Sequence, residues 1–193
     1  MTNRPLTEAE AKEALDYHPF ARDAVVFAVH TPNPVLGLST AQIRDIYGGT
    51  VTDWQQVGGS AGPIIVLDRD ADESMRRLVL IKLLEGRPVQ AQAITLAAAR
   101  DMIAALEKTP SAIGYSSLGL LRIQRPRDVQ MMTLDGVTAN SAAVAGGAYP
   151  WELTFGLVHG REASPSVRRF VDWVQGPAGR RVLEGYDYVA VAR

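Results

Sequence analysis

The amino-acid sequence predicts an α/β fold built on a largely parallel sheet. Short apolar runs rich in β-branched residues, which are typical of buried strands, alternate along the chain with segments of helical periodicity. This alternation is typical of sheets whose strands run in parallel and are joined by helices. The sequence shows no internal repeat and no low-complexity segment, so we expect an ordinary globular protein.

The predicted strands are short apolar segments bounded by turn-forming residues. They cover residues 24–30, 63–67, 112–116, 129–134, 154–158 and 188–191.

The predicted helices are recognised by their ends. Thr7 and Glu10 have the spacing of a capping box, Gly48 and Gly49 follow a helical segment, and Ser164 precedes a proline at the first helical position. On these signals the helices cover residues 5–15, 40–47, 72–85, 91–108, 165–175 and 177–184.

Composition narrows the functional class. A chain of 193 residues with 47% hydrophobic and 21% charged residues suits one domain or two small lobes with a proper core. Cysteine is absent, which excludes disulfides, cysteine nucleophiles, zinc–thiolate sites and iron–sulfur clusters. A net charge of −1 argues against binding to nucleic acid or membranes through bulk charge. We expect no nucleic-acid partner and no cofactor.

Membrane and export signals are absent from the sequence as given. No run of eighteen apolar residues occurs, and the first residues lack the apolar stretch of a signal peptide. We therefore expect either a cytoplasmic protein or a chain from which a leader has been removed.

Seven segments occur in an order that is known from one family. They are residues 3–7 (NRPLT), 24–30 (AVVFAVH), 33–34 with 38–47 (NP, LSTAQIRDIY), 49–59 (GTVTDWQQVGG), 63–69 (PIIVLDR), 112–119 (AIGYSSLG) and 176–186 (GPAGRRVLEGY). This order resembles that of phosphate-binding-type solute-binding proteins of ABC transporters.

The resemblance implies a class II binding-protein fold, in which two lobes close by a hinge motion around a ligand. Lobe II would comprise residues 32–150, and lobe I would comprise 1–31 and 151–193, with two chain crossings. Lobe I would be incomplete, because the family carries an opening βαβ unit before the position of Arg4. An incomplete lobe exposes apolar surface, so we expect self-association. The resemblance also implies a small oxyanion ligand such as phosphate. It implies membrane subunits of a transporter as partners and a location in the periplasm or at the cell surface.

The resemblance also implies an anion site at residues 68–76, where this chain departs from the family. Arg69 and Arg76 match, but Asp72, Glu73, Ser74 and Met75 stand where the family has Gly-Ser-Gly-Thr. Small residues let backbone N–H groups approach an anion at a helix N-terminus, whereas two carboxylates there would repel it.

Arg69 is the leading ligand candidate, because its guanidinium follows a buried strand and could pair with an oxyanion bidentately. The alternative is a salt bridge to Asp68, Asp70 or Asp72. Ser74 either donates a hydroxyl to the anion or caps its helix, with Asp70 and Glu73 forming a capping box.

Three further candidates carry alternatives of the same kind. Arg76 either faces the ligand or is a solvated helix residue. Asn3 and Arg4 end a lobe I strand in the family, but near a chain end they could be mobile.

Other residues are expected to be structural. Tyr115, Ser116 and Ser117 and the three tryptophans (Trp54, Trp151 and Trp173) are predicted to lie in the core. The three histidines (His18, His30 and His159) lack the spacing of metal ligands, so we predict no metal site.

Two alternative functions remain at this stage. The chain could be a non-binding relative that keeps the fold as an interaction or sensor module. The other hypothesis is an enzyme that uses Asp70, Asp72 or Glu73, but no partner group or catalytic motif accompanies these residues. We therefore expect a protein that is not an enzyme.

Overall fold

Residues 1–71, 73–90 and 92–191 are described by the structure, which is a computed structural model. Their strands are β1 (Leu15–His30), β2 (Gly37–Leu38), β3 (Ile65–Arg69), β4 (Ile94–Leu96), β5 (Ala112–Ser117), β6 (Val129–Met131), β7 (Thr133–Leu134), β8 (Glu152–Gly160) and β9 (Val189–Ala190). Their helices are α1 (Thr40–Gly48), α2 (Ser74–Lys82), α3 (Ala99–Lys108), α4 (Leu118–Gln124), α5 (Ser141–Ala145), α6 (Pro165–Gln175) and α7 (Pro177–Glu184), with 3-10 turns at Glu10–Lys12 and Trp54–Val57.

The chain forms two compact units. Unit 1 comprises Met1–Ala24 and Asn140–Arg193, and unit 2 comprises Val25–Ala139. The sequence places the first boundary after residue 31, but it falls inside strand β1, and the second falls before residue 150. The displacement arises because β1 contributes its first part to unit 1 and its last part to unit 2.

The long strand β1 begins where a helix is predicted to end. The prediction of a helix over residues 5–15 is wrong. The Thr7–Glu10 capping box does form, and the Glu10 amide donates to Thr7 Oγ1 at 3.2 Å. It is followed by only a single 3-10 turn. The strand already begins at Leu15, nine residues before the predicted start at 24. The early start of β1 could not be predicted, because Pro19 lies within it and proline is unfavourable in the interior of a strand. The strand accommodates Pro19 through a shift of register between Pro19 and Ala21.

The prediction of a largely parallel sheet is wrong. In unit 2 the larger sheet has the strand order β4-β3-β5-β1-β6, in which β3 pairs in parallel with β4 and β5. The short strands β2 and β7 form a separate parallel pair. All pairings of β1 are antiparallel, with β5 and β6 in unit 2 and with β8 and β9 in unit 1. Alternating strands and helices predict parallel pairing only where a crossover helix joins two neighbouring strands, as in a βαβ unit. Strand β1 is not joined to its neighbours in this way, so the alternation does not predict its direction.

Most helix ends agree with their sequence signals. Helix α1 begins after Ser39 and ends at Gly48, and its C-cap is Gly49, whose positive φ of 82° suits glycine. Helix α6 has Ser164 as its N-cap with Pro165 in its first turn, and α7 has the predicted bounds. Helix α3 is shorter than predicted, because β4 takes the residues before it, and α4 is an addition.

The core of unit 2 surrounds the last part of β1. Val25 to Val29 are at most 1% exposed, and Phe27, Tyr47 and Tyr115 pack with ring centroids 5.8–6.2 Å apart. Trp54 and Trp151 are buried as predicted, but Trp173 is 51% exposed, so its core prediction is wrong. No helix in the described part of the chain combines the length and apolarity needed to cross a membrane.

Candidate functional site

Arg69 ends strand β3 and is buried, being only 8% exposed. Its Nη1 atom is buried and has no hydrogen-bond partner among the residues that the structure describes. The carboxyl ends of β3 and its parallel neighbour β4 meet here, with Arg69 opposite Leu96. Open α/β sheets bind ligands at this edge. A buried guanidinium nitrogen that lacks a partner is costly, so this atom is suited to receive an anion.

Of the salt bridges weighed from the sequence for Arg69, the one to Asp68 does not form, and the one to Asp72 lies outside the described residues. Successive residues of a strand point to opposite faces, and Asp68 is satisfied on its own face. Its Oδ1 accepts a hydrogen bond from the Tyr115 hydroxyl and its Oδ2 accepts one from Arg76 Nε, both at 2.8 Å. The charge of Asp68 is therefore compensated without Arg69.

The side chains of Asp68, Arg76 and Tyr115 form a cluster that is largely buried from solvent. The side chains of Arg76 and Asp68 are 17% and 3% exposed, and Tyr115 is 1% exposed. Burial, and next the charge of Asp68, raise the pKa of Tyr115 far above its ordinary value, so the phenol stays protonated and donates. Arg76 is thus neither solvated nor available to a ligand through Nε, and Tyr115 lies in the core as predicted.

The N-terminus of α2 is capped by a carboxylate. Glu73 is the N-cap, and its Oε2 accepts a hydrogen bond from the Arg76 amide at 2.9 Å. Ser74 is therefore the first helical residue and not the cap, and Asp70 does not form the predicted capping box with Glu73, since Glu73 holds the cap position itself. Asp72, the other acidic residue of this segment, lies outside the described residues.

Asn3 and Arg4 belong to unit 1, whereas Arg69, Ser74 and Arg76 belong to unit 2. Arg4 makes a two-pronged contact with Glu10, at 2.7 and 2.8 Å, and this contact lowers the pKa of Glu10 to about 2. Arg4 Nη1 also donates to the Pro5 carbonyl. The ligand role predicted for Arg4 thus competes with a local ion pair. The role of Asn3 stays a prediction.

The structure brings together two histidines that the sequence keeps apart. Nε2 of His18 lies 3.0 Å from Nε2 of His159, although 141 residues separate them. Asp16 and His18 share a face of β1, and Asp16 lies opposite His159 on β8. Sequence reasoning missed this group because the strand at residue 15 and its register with β8 carry no local signal. His30 is structural as predicted, with Nδ1 3.0 Å from the Leu106 carbonyl.

Comparison with known proteins agrees with the order of motifs in the sequence. The family model described as the PBP superfamily domain matches residues 1–178. The phosphate-binding protein PstS of Borreliella burgdorferi is 21% identical over 99% of this chain and 71% of its own length, and that of Bacillus subtilis is 27% identical over 86% and 56%. These names belong to binding proteins and not to enzymes.

Solved structures show the same fold. A crystal structure from Clostridium perfringens, of a candidate phosphate ABC transporter substrate-binding protein with bound phosphate, superposes with a TM-score of 0.90. It is 24% identical, and the match covers 98% of this chain and 77% of that one. The fold class implied by the resemblance is thereby confirmed, and the chain belongs to the family of the PBP superfamily domain.

Proposed function

We propose that this chain is the solute-binding component of an ABC transporter and that it binds a small oxyanion such as phosphate. The observation that carries the proposal is the buried Nη1 of Arg69, which lacks a partner among the described residues. A charged group in such a place destabilises the fold unless a counter-charge arrives, and no described carboxylate supplies one. A tetrahedral oxyanion has the charge and the acceptor oxygens to do so.

The neighbouring charges support Arg69 as the centre of the site. Asp68 is the nearest carboxylate in sequence, and it is paired with Arg76 and Tyr115. Among the described residues, no carboxylate forms an ion pair with Arg69 at the carboxyl end of β3, and its Nη1 has no hydrogen-bond partner there. The relatives named phosphate-binding proteins agree with this chemistry.

A second candidate function rests on Glu73. Its carboxylate occupies an amide at the N-terminus of α2, where an anion would otherwise bind. This contact favours a relative that has lost binding and uses the fold as an interaction or sensor module. The two candidates differ in one measurable property, which is stabilisation by an anion.

The test is a thermal-shift titration with phosphate, sulfate, molybdate and tungstate, against chloride at equal ionic strength. An anion at 100 times its Kd adds about 2.7 kcal/mol, which raises Tm by about 5–10 °C in a chain of this size. Arg69→Gln should lose the shift. Arg100→Gln should keep it, because Arg100 carries the same charge on a side chain that is 82% exposed. A shift that survives in Arg69→Gln contradicts the site, and no shift with any anion supports the second candidate.

The partners and location follow from the same proposal. A solute-binding component works outside the cytoplasm, in the periplasm or at the cell surface, and delivers its ligand to the membrane subunits of the transporter. Binding of detergent-solubilised membrane subunits, measured with and without phosphate, tests this. Unchanged affinity would count against delivery of the anion.

Self-association of the chain is a further part of the proposal. Val167, Phe170 and Trp173 of α6 are 39–55% exposed, and the last two rings stack with centroids 6.5 Å apart. Apolar side chains at this spacing favour contact with a second copy. Light scattering should show a dimer that weakens in Trp173→Gln, and a monodisperse monomer would contradict it.

A further inference from the structure

We propose that Asp16, His18 and His159 form a binding site for a transition-metal ion of the Zn²⁺ type. The site lies wholly within unit 1 and does not depend on the anion proposed for Arg69. One ligand atom from each side chain can be chosen so that all three lie within 4.8 Å of one another. Two imidazoles with one carboxylate are a ligand set that suits Zn²⁺, Ni²⁺ or Cu²⁺ better than Mg²⁺ or Ca²⁺.

The register of two strands builds the group. Asp16 pairs with His159, and His18 pairs with Leu157 one step further along, so all three side chains lie on one face of the β1–β8 pair. The backbone ladder of an extended antiparallel pair holds this arrangement before any ion arrives. Preorganised ligands of this kind lose little entropy on binding.

The distance between the histidines fits a shared metal. Two nitrogens bound to one tetrahedral Zn²⁺, each about 2.0–2.1 Å from it, lie about 3.3–3.4 Å apart. The two Nε2 atoms are 3.0 Å apart, and the rings stack with centroids 4.8 Å apart at an interplanar angle of 28°. Binding of an ion therefore requires the nitrogens to separate by a few tenths of an ångström and the rings to turn so that both lone pairs point at it. Two imidazoles cannot both carry a proton on the facing nitrogens at this distance without repulsion.

The protonation of His159 is set by its other nitrogen. Its Nδ1 lies 2.8 Å from the Gly160 carbonyl oxygen, and only a protonated Nδ1 can donate there. In the neutral ring this leaves a bare lone pair on Nε2, which faces His18. A histidine that ligates a metal characteristically donates its second ring N–H to a carbonyl or carboxylate, as His159 does here.

The surroundings leave room for an ion and its water ligand. A cavity of about 240 Å³ is lined by the three side chains together with Arg168, Val171 and Asp172. Arg168 directs Nε and Nη2 to the carbonyls of Ala163 and Arg161. Arg161 lies 3.9 Å from Oδ1 of Asp16 and is the cation that a metal would have to displace from that carboxylate.

The experiment is calorimetric titration of the untagged full chain with ZnCl₂, and separately with MgCl₂ and CaCl₂. One Zn²⁺ per chain should bind, with no heat from Mg²⁺ or Ca²⁺. The double variant His18→Gln/His159→Gln should raise the Kd for Zn²⁺ at least about tenfold, and Asp16→Asn should raise it less. His30→Gln is the matched control, because His30 belongs to unit 2, and it should bind like the wild type.

The visible absorption of bound Co²⁺ tests the site in the wild-type chain, even if a variant folds poorly. Co²⁺ added to the wild-type chain should give the intense visible bands of a tetrahedral site, and Zn²⁺ should remove them. Absence of saturable Zn²⁺ binding by the wild type overturns the proposal. So does unchanged affinity in a folded double variant, or equal loss in His30→Gln.

Discussion

Two arginines that match the same family by sequence stand in opposite electrostatic situations. Arg4, in the N-terminal loop of unit 1, is clasped by Glu10 at 2.7 and 2.8 Å on a partly exposed surface. Arg69, at the end of β3 in unit 2, is buried, and its Nη1 has no partner within the described ranges. A resemblance locates a residue, but its surroundings decide whether its charge is already used. This contrast is the reason that we propose Arg69, and not Arg4, as the residue that binds the ligand.

The largest expected effect concerns Arg76, the neighbour that frees Arg69 by pairing with Asp68. Arg76→Met should destabilise the fold by about 3–5 kcal/mol, because it leaves the carboxylate of Asp68 buried with its ion pair broken. Urea unfolding measures the change. Arg100→Met, at an arginine whose side chain is 82% exposed, is the control. Equal stability of the two variants would show that Asp68 pairs with another residue, and Arg69, its neighbour in sequence, would then be tested as that partner.

Tyr115→Phe should have the next largest effect. It removes one hydrogen bond to Asp68 Oδ1 and should cost about 1–3 kcal/mol, since the oxygen stays buried. The raised pKa of Tyr115 adds a pH signature. Its ionisation is opposed in the fold, so stability falls as pH rises above the ordinary pKa of tyrosine. This alkaline loss should diminish in Tyr115→Phe, and an unchanged alkaline profile would contradict the role given to the phenol.

Glu73→Gln tests how a negative charge beside the proposed site affects binding of the anion. The amide oxygen can still cap α2, but the negative charge near the proposed anion is removed. That charge reaches the cluster, since Glu73 is one of the lesser causes that raise the pKa of Tyr115. Phosphate affinity should rise about fivefold, equivalent to about 1 kcal/mol, at unchanged Tm. Weaker binding would mean that Glu73 helps to hold the ligand.

The smallest effect is expected at Arg4 and Glu10. The pKa of Glu10 is lowered from 4.5 to about 2, chiefly because Glu10 accepts a hydrogen bond from Arg4. A lowered carboxyl pKa contributes stability above the unfolded value and loses it as pH falls through the folded one. The Tm difference between wild type and Glu10→Gln should thus be small and constant at neutral pH and disappear between pH 4.5 and about 2. Phosphate binding in Arg4→Gln should stay as in wild type, and its loss would restore Arg4 as a ligand.

Local signals predicted much of the fold, and pairing across the sequence accounts for what they missed. The caps at Ser39 and Ser164 and the glycine at 49 mark helix ends through contacts within a few residues. The antiparallel direction of β1, its start at Leu15 and the meeting of His18 with His159 depend on partners more than 80 residues away. In the same way Arg69 could be singled out from its motif, but the absence of a described partner at its Nη1 depends in part on Tyr115 and Arg76 satisfying Asp68.

The most direct test of the central claim measures stability and binding in Arg69→Met. If the buried guanidinium is kept for an anion, removing it should leave Tm in anion-free buffer equal to or above that of the wild type, because an uncompensated buried charge is lost. The same variant should show no stabilisation by phosphate. A large drop in Tm, together with a phosphate-induced shift like that of the wild type, would show that Arg69 is structural and that the anion binds elsewhere.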